Sequence, residues 1–128
     1  MKIFLGVIVF LPIALASAYI IYQSKYGPPV ISISNKTNSV LQDIRIFDSR
    51  WEHKIERLDP GSEMDFVQHV GGESGLAVSF NANGKAFMKK DLDYFEESGG
   101  YCVGVVILPD YSIRSESRIA CPRRKLVP

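Results

Sequence analysis

The chain has 128 residues and a mass of 14.3 kDa, which suits one domain with an appendage and excludes a multidomain assembly. With 46% hydrophobic and 23% charged residues it can bury a core, so wholesale disorder is excluded. A net charge of +1 and a pI near 7.8 exclude the global basic field that nucleic-acid binding uses.

Residues 3–22 carry seventeen apolar side chains, interrupted by Gly6, Pro12 and Ser17, and no charge. Twenty helical residues rise about 30 Å, the hydrocarbon thickness of a bilayer. Residues 1–25 are therefore expected to form an N-terminal transmembrane signal-anchor helix, touching the membrane through residues 3–22. Tyr19, Tyr22 and Tyr26 fall where an interfacial aromatic belt lies. A signal peptide cleaved near Ala18 is the alternative, because Met1-Lys2 is a short basic start and Ala16-Ser17-Ala18 has the small-x-small form of a cleavage site. The apolar run continuing through Tyr19-Ile20-Ile21-Tyr22 favours the uncleaved anchor. A charge bias of one, the free amine and Lys2 before the segment against Lys25 after it, places the remainder in the periplasm or outside the cell, with the anchor in an inner membrane.

Gly27-Pro28-Pro29 ends any helix, and residues 26–122 read as the exported domain. Residues 30–34 and 40–47 alternate apolar with polar around the turn cluster 35–39, which predicts an antiparallel hairpin. Trp51, His53 and Ile55 share a phase, and Asp59-Pro60-Gly61 is a turn. Met64 and Phe66 share a face. Leu76, Val78 and Phe80 give the cleanest alternation and are predicted core. Asn83-Gly84 predicts a hairpin that pairs 76–81 with 85–90. Residues 91–97 could add a short helical turn with Leu92 and Phe95 three apart. Tyr101, Val103, Val105 and Ile107 share one face of the next strand, and a last strand covers about 113–120. Seven to nine short strands at this spacing predict an all-β fold, an antiparallel β-sandwich of immunoglobulin-like or similar kind.

Cys102 and Cys121 are the only cysteines and fall on the last two predicted strands. A cross-strand disulfide between them would close a loop worth roughly 3 kcal/mol in an oxidising compartment. Residues 26–117 carry nine basic against fourteen acidic side chains, whereas 118–128 carry Arg118, Arg123, Arg124 and Lys125. Residues 123–128 thus read as a basic flexible tail, and those four cations are the candidate partner-binding residues, facing anionic headgroups or an acidic partner.

Catalytic and metal patterns are absent from the sequence. His53 and His69 lie apart, without the convergent ligands zinc needs. Asp91, Asp93, Glu96 and Glu97 form an oxygen-rich cluster that lacks the spacing and central glycine of a calcium loop. No nucleophile elbow or phosphate loop occurs, and Asn35-Lys36-Thr37 matches the N-glycosylation pattern. Trp51 reads as a core plug. The expected function is that of a non-enzymatic, membrane-anchored envelope protein without cofactor, whose sandwich binds another protein, as an immunity or inhibitor protein or an accessory subunit. The alternatives are a small envelope hydrolase using the carboxylates of 91–97, and a self-assembling structural protein.

Overall fold

A computed structural model describes residues 2–117, and of 2–9, 23–26 and 117 it describes the backbone alone. The helix α1 spans Lys2–Tyr26. Ten strands follow among the described residues: β1 (Val30–Asn35), β2 (Leu41–Asp48), β3 (Trp51–Leu58), β4 (Glu63–Val67), β5 (Glu73–Gly75), β6 (Ala77–Ala82), β7 (Lys85–Lys89), β8 (Tyr94–Glu96), β9 (Cys102–Ile107) and β10 (Ile113–Ser117). One sheet has the order β10-β9-β1-β4, the second β3-β2-β6-β7, and β5 and β8 make a small third. Apolar residues of both large sheets meet in one buried cluster, Ile31, Ile33, Val105 and Ile107 from the first against Ile44, Ile46, Val78 and Phe80 from the second. This is the expected all-β sandwich. The strands exceed the expected seven to nine because the three-residue β5 and β8 carry too short a pattern to read.

Three expectations are corrected. The first sheet is mixed rather than antiparallel, since β1 runs parallel to β9 with Ile31 opposite Val103 and Ile33 opposite Val105. The segments 30–34 and 40–47 form no hairpin. They lie in different sheets because β1 is central, taken up by β9 on one side and β4 on the other. Residues 91–97 form no helical turn; Phe95 is fully buried from β8, and Leu92 packs against the core.

The reason the chain crosses sheets after β1 lies in Asn35, which is 0% exposed. Its Nδ2 donates to the carbonyls of Ser39 (2.8 Å) and Leu58 (3.0 Å), and its Oδ1 accepts from the Thr37 N–H (3.0 Å) and Thr37 Oγ1 (2.7 Å). The backbone N–H of Asn35 donates to Ser62 O and its carbonyl accepts from Gly61 N, so the β1–β2 and β3–β4 crossovers are tied at one point. The glycosylation pattern is therefore a buried turn in which the threonine closes on the asparagine. By contrast, the Asn83-Gly84 hairpin forms as expected, with both residues at positive φ (51° and 74°) and Ala82 opposite Lys85. The predicted core residues Leu76, Val78 and Phe80 are at most 2% exposed.

No helix among the described residues is long and apolar enough to cross a membrane. The transmembrane part of the fold expectation is therefore not shown: α1 runs over Lys2–Tyr26, and its described side chains are those of residues 10–22. Its side chains are exposed, Phe10 at 73%, Leu15 at 63% and Ile21 at 63%.

Asn35→Ala leaves the Leu58 carbonyl and the Thr37 donors short of partners in a buried place, and should cost about 3 kcal/mol. Lys36→Ala, one residue away and exposed, should change stability by less than about 0.5 kcal/mol. Urea denaturation of the two variants checks the contrast; equal midpoints would remove the structural role given to Asn35.

Candidate functional site

The residues with chemical capacity gather at the end of the sandwich where α1 enters. There Val30 N donates to Tyr101 O, Gln68 N to Pro29 O and Gly100 N to Gly27 O, so the loops before β5 and before β9 are bonded to the start of β1. Glu97 closes this end. Its Oε1 lies 2.6 Å from His69 Nδ1, and its Oε2 accepts from Val70 N (2.5 Å) and Gly71 N (3.3 Å). Burial pushes the Glu97 carboxyl upward, but the N–H donors of Val70 and Gly71 and the His69 ring outweigh it and hold the group below its usual 4.5. The pairing of His69 with Glu97, twenty-eight residues apart, has no sequence signature.

The other carboxylates of this region are Asp91, Asp93 and Glu96. Asp93 Oδ1 accepts from Tyr94 N at 2.8 Å, and its Oδ2 accepts from Ser115 Oγ. Glu96 stands opposite Glu73 across the β5–β8 pair, and a hydrogen bond to Glu73 pushes the Tyr94 phenol up to about 12. Asp91 is exposed at a positive φ of 53°. No group of three or more His, Cys, Asp or Glu able to hold a metal occurs among the described residues. A depression of about 210 Å³ is lined by Phe87, Met88, Lys89, Tyr111, Ser112 and Ile113, with none of these carboxylates in its lining.

His53 lies flat on Phe66, ring centroids 3.7 Å apart, and burial pushes its pKa below 6.5. That contact joins β3 to β4 across the sandwich edge and gives His53 a packing role. Trp51 is half-buried at the core margin, edge-on to Phe95 at 6.4 Å. Its Nε1 donates to Ser74 Oγ (2.8 Å), which in turn donates to Asp48 Oδ2 (3.0 Å). A plug with its polar handle satisfied is what a tryptophan at a sandwich rim requires.

Cys102 is half-buried at the start of β9 and is not a free thiol. Its expected partner Cys121, and the candidate partner-binding residues Arg118, Arg123, Arg124 and Lys125, lie outside the described residues. The β9–β10 ladder pairs Ile107 with Ile113 and Val103 with Ser117, one residue from Cys102.

No family model matches the chain, and no curated protein matches it. A protein from Eubacterium rectale, determined by NMR, is similar over 77% of this chain and 93% of its own, with 14% identity and a TM-score of 0.49. A candidate cell adhesion protein from Bacteroides ovatus ATCC 8483 is similar over 73% of this chain and 44% of its own, with 10% identity and a TM-score of 0.37. At these scores neither likeness bears on function.

Because the Glu97 carboxyl titrates below its ordinary value in the folded state, the stability it lends is fully present above about pH 4.5 and is lost as pH falls through the lowered value. Glu97→Gln should be less stable than the parent at pH 7, and the gap should close below about pH 4.5. Denaturation midpoints measured from pH 7 to pH 3 check this; a gap that persists at pH 3 would count against the clamp.

Proposed function

We propose that the chain is a non-enzymatic envelope protein, held at a membrane by its N-terminal helix, with the sandwich on the periplasmic or outer side, where it binds another protein. The observation that carries this reading is α1, whose side chains from Phe10 to Tyr22 are exposed all round. A helix apolar on every face is unfavourable in water, and each fully exposed large side chain forgoes about 1.5–3 kcal/mol of burial. A lipid surface supplies that burial, and residues 3–22 remain the segment proposed to enter it.

Binding rather than catalysis is favoured by how the carboxylates are used. Glu97 and Asp93 are each occupied in holding loops, and Glu73 and Glu96 face one another on a small sheet. The surface offered to a partner is the edge of β7, which among the described strands pairs with β6 alone and presents Met88 at 57% exposure beside the shallow depression. Edge strands accept an added strand through their free backbone groups. The Cys102–Cys121 bridge belongs to the same reading, since a disulfide persists in an oxidising compartment.

Carbonate extraction of cells should leave the full chain in the membrane fraction, and deletion of residues 1–26 should release it. Finding the intact chain in the soluble cytoplasmic fraction overturns the reading. Alkylation without reductant should leave Cys102 and Cys121 unmodified; two reactive thiols would refute both the bridge and the oxidising location. Capture from detergent extract should return a partner whose recovery falls with Met88→Asp, and no partner under any growth condition would refute the binding role.

A further inference from the structure

The β7 edge has a defined backbone pattern and charge of one sign. Across the two-residue Asn83-Gly84 turn, Ala82 pairs with Lys85, Phe80 with Phe87 and Val78 with Lys89. In such a hairpin these facing residues exchange both backbone hydrogen bonds, and the residues between them point their groups the other way. The N–H and carbonyl groups of Ala86 and Met88 therefore face outward, and no described loop bonds to them. Lys85, Lys89 and Lys90 are exposed along this edge, and the first carboxylate after the turn is Asp91, beyond the strand. The other strands at sheet ends differ: β3 mixes Glu52 and Glu56 with Lys54 and Arg57, β10 mixes Arg114 with Glu116, and β4 carries Glu63 and Asp65. Lysine set beside lysine repels, so the β7 edge is guarded against a second copy of itself and favours a strand of opposite charge. On the inward side Phe87 is stacked between Phe80 and Tyr111, and the depression beside it runs to Tyr111, Ser112 and Ile113. Lys89 Nζ donates to Ile113 O at 3.1 Å, which fixes β7 to the start of β10 and holds the depression in shape.

We infer that the β7 edge takes an acidic extended segment of a partner protein as an added strand, with one apolar side chain of that segment seated in the depression. This deepens the binding role proposed above and rests on it. A strand that bonds to the backbone of Ala86 and Met88 has its register fixed by those bonds, so each of its side chains has an assigned neighbour. The residue beside Phe87 points inward, to the depression. The residues two before and two after it share that face and lie beside Lys85 and Lys89. Carboxylates there meet ammonium groups, so the segment recognised has the pattern acidic-x-apolar-x-acidic. The intervening residues lie on the outer face beside Ala86 and Met88, where β-branched side chains pack.

The probes are three blocked peptides, Thr-Glu-Thr-Leu-Thr-Glu-Thr, the same with lysine for both glutamates, and the first with alanine for leucine, titrated into the full chain in uncharged detergent. The first should slow amide hydrogen exchange at Ala86 and Met88 and bind about tenfold more tightly than the lysine peptide, since two cross-strand charge pairs change sign between them. High salt should shrink that preference by screening, and the alanine peptide should bind more weakly because it leaves the depression unfilled. Ala86→Pro removes an outward N–H without touching the β6–β7 ladder and should abolish binding. Lys85→Glu, a change at an exposed position, should lower the preference for the acidic peptide whether or not the proline variant folds. No added protection of Ala86 and Met88 with any peptide at millimolar concentration overturns strand addition, and equal binding of the acidic and basic peptides overturns the acidic class. Capture from detergent extract separates these failures from that of the binding role: a partner lost with Met88→Asp, together with unprotected amides, would refute strand addition alone.

Discussion

The architecture depends on one buried amide. Asn35 sits where the chain leaves one sheet for the other, and its side chain spends both donors and two acceptor sites on four partners drawn from the 36–39 crossover and the end of β3. In a low-dielectric interior such a network is worth most when complete and costs most when one member is missing. Because Lys36 N also donates to Ile107 O, the end of β9 is fixed to the same node. The consequence is register: β1 cannot slide between β4 and β9 without breaking the node, and a slip of one residue would exchange Ile31 and Ile33 for Ser32 and Ser34 in the core.

The two ends of the sandwich are closed by different chemistry. At the Asn35 end, Ser39, Asn83 and the Tyr111 hydroxyl share neutral hydrogen bonds of 2.7–3.0 Å. Phe87 stacks between Phe80 and Tyr111 beneath them, at 5.0 and 5.1 Å. At the helix end the loops are held by a charge, the Glu97 carboxylate on two backbone N–H groups, backed by the Trp51–Ser74–Asp48 relay. Charge-assisted bonds are stronger but titrate, so acid should loosen the helix end first while the Asn35 end holds.

Local signals in the sequence were sufficient where the structure is local. The Asn83-Gly84 turn, the Leu76, Val78, Phe80 face and the plugging role of Trp51 each follow from a few adjacent residues. What escaped depends on distance along the chain. The β1–β9 pairing joins strands about seventy residues apart and leaves no periodic trace. Ser32 and Ser34 read as the solvent side of a hairpin strand, yet hydroxyls rather than charges at those positions were the sign of a strand covered on both faces. Glu97 read as one of several loop carboxylates, because its donors are the Val70 and Gly71 backbone, which no side-chain pattern announces. Cys102 was placed on the right strand.

The junction between α1 and β1 limits how the domain can be presented. Tyr26 ends the helix, and Gly27, Pro29 and Val30 already bond to Gly100, Gln68 and Tyr101, so no free linker intervenes. A chain held by α1 in a lipid surface would keep the loops around 68–72 and 98–101 at headgroup level. Tyr94 and Tyr101, 57% and 40% exposed at this end, are the amphipathic side chains that interface favours. Glu73 and Glu96 are repelled by anionic lipid, which sets a standoff rather than deeper burial. The far end and the β7 edge would then be the surfaces left for a partner, since the helix end would face lipid.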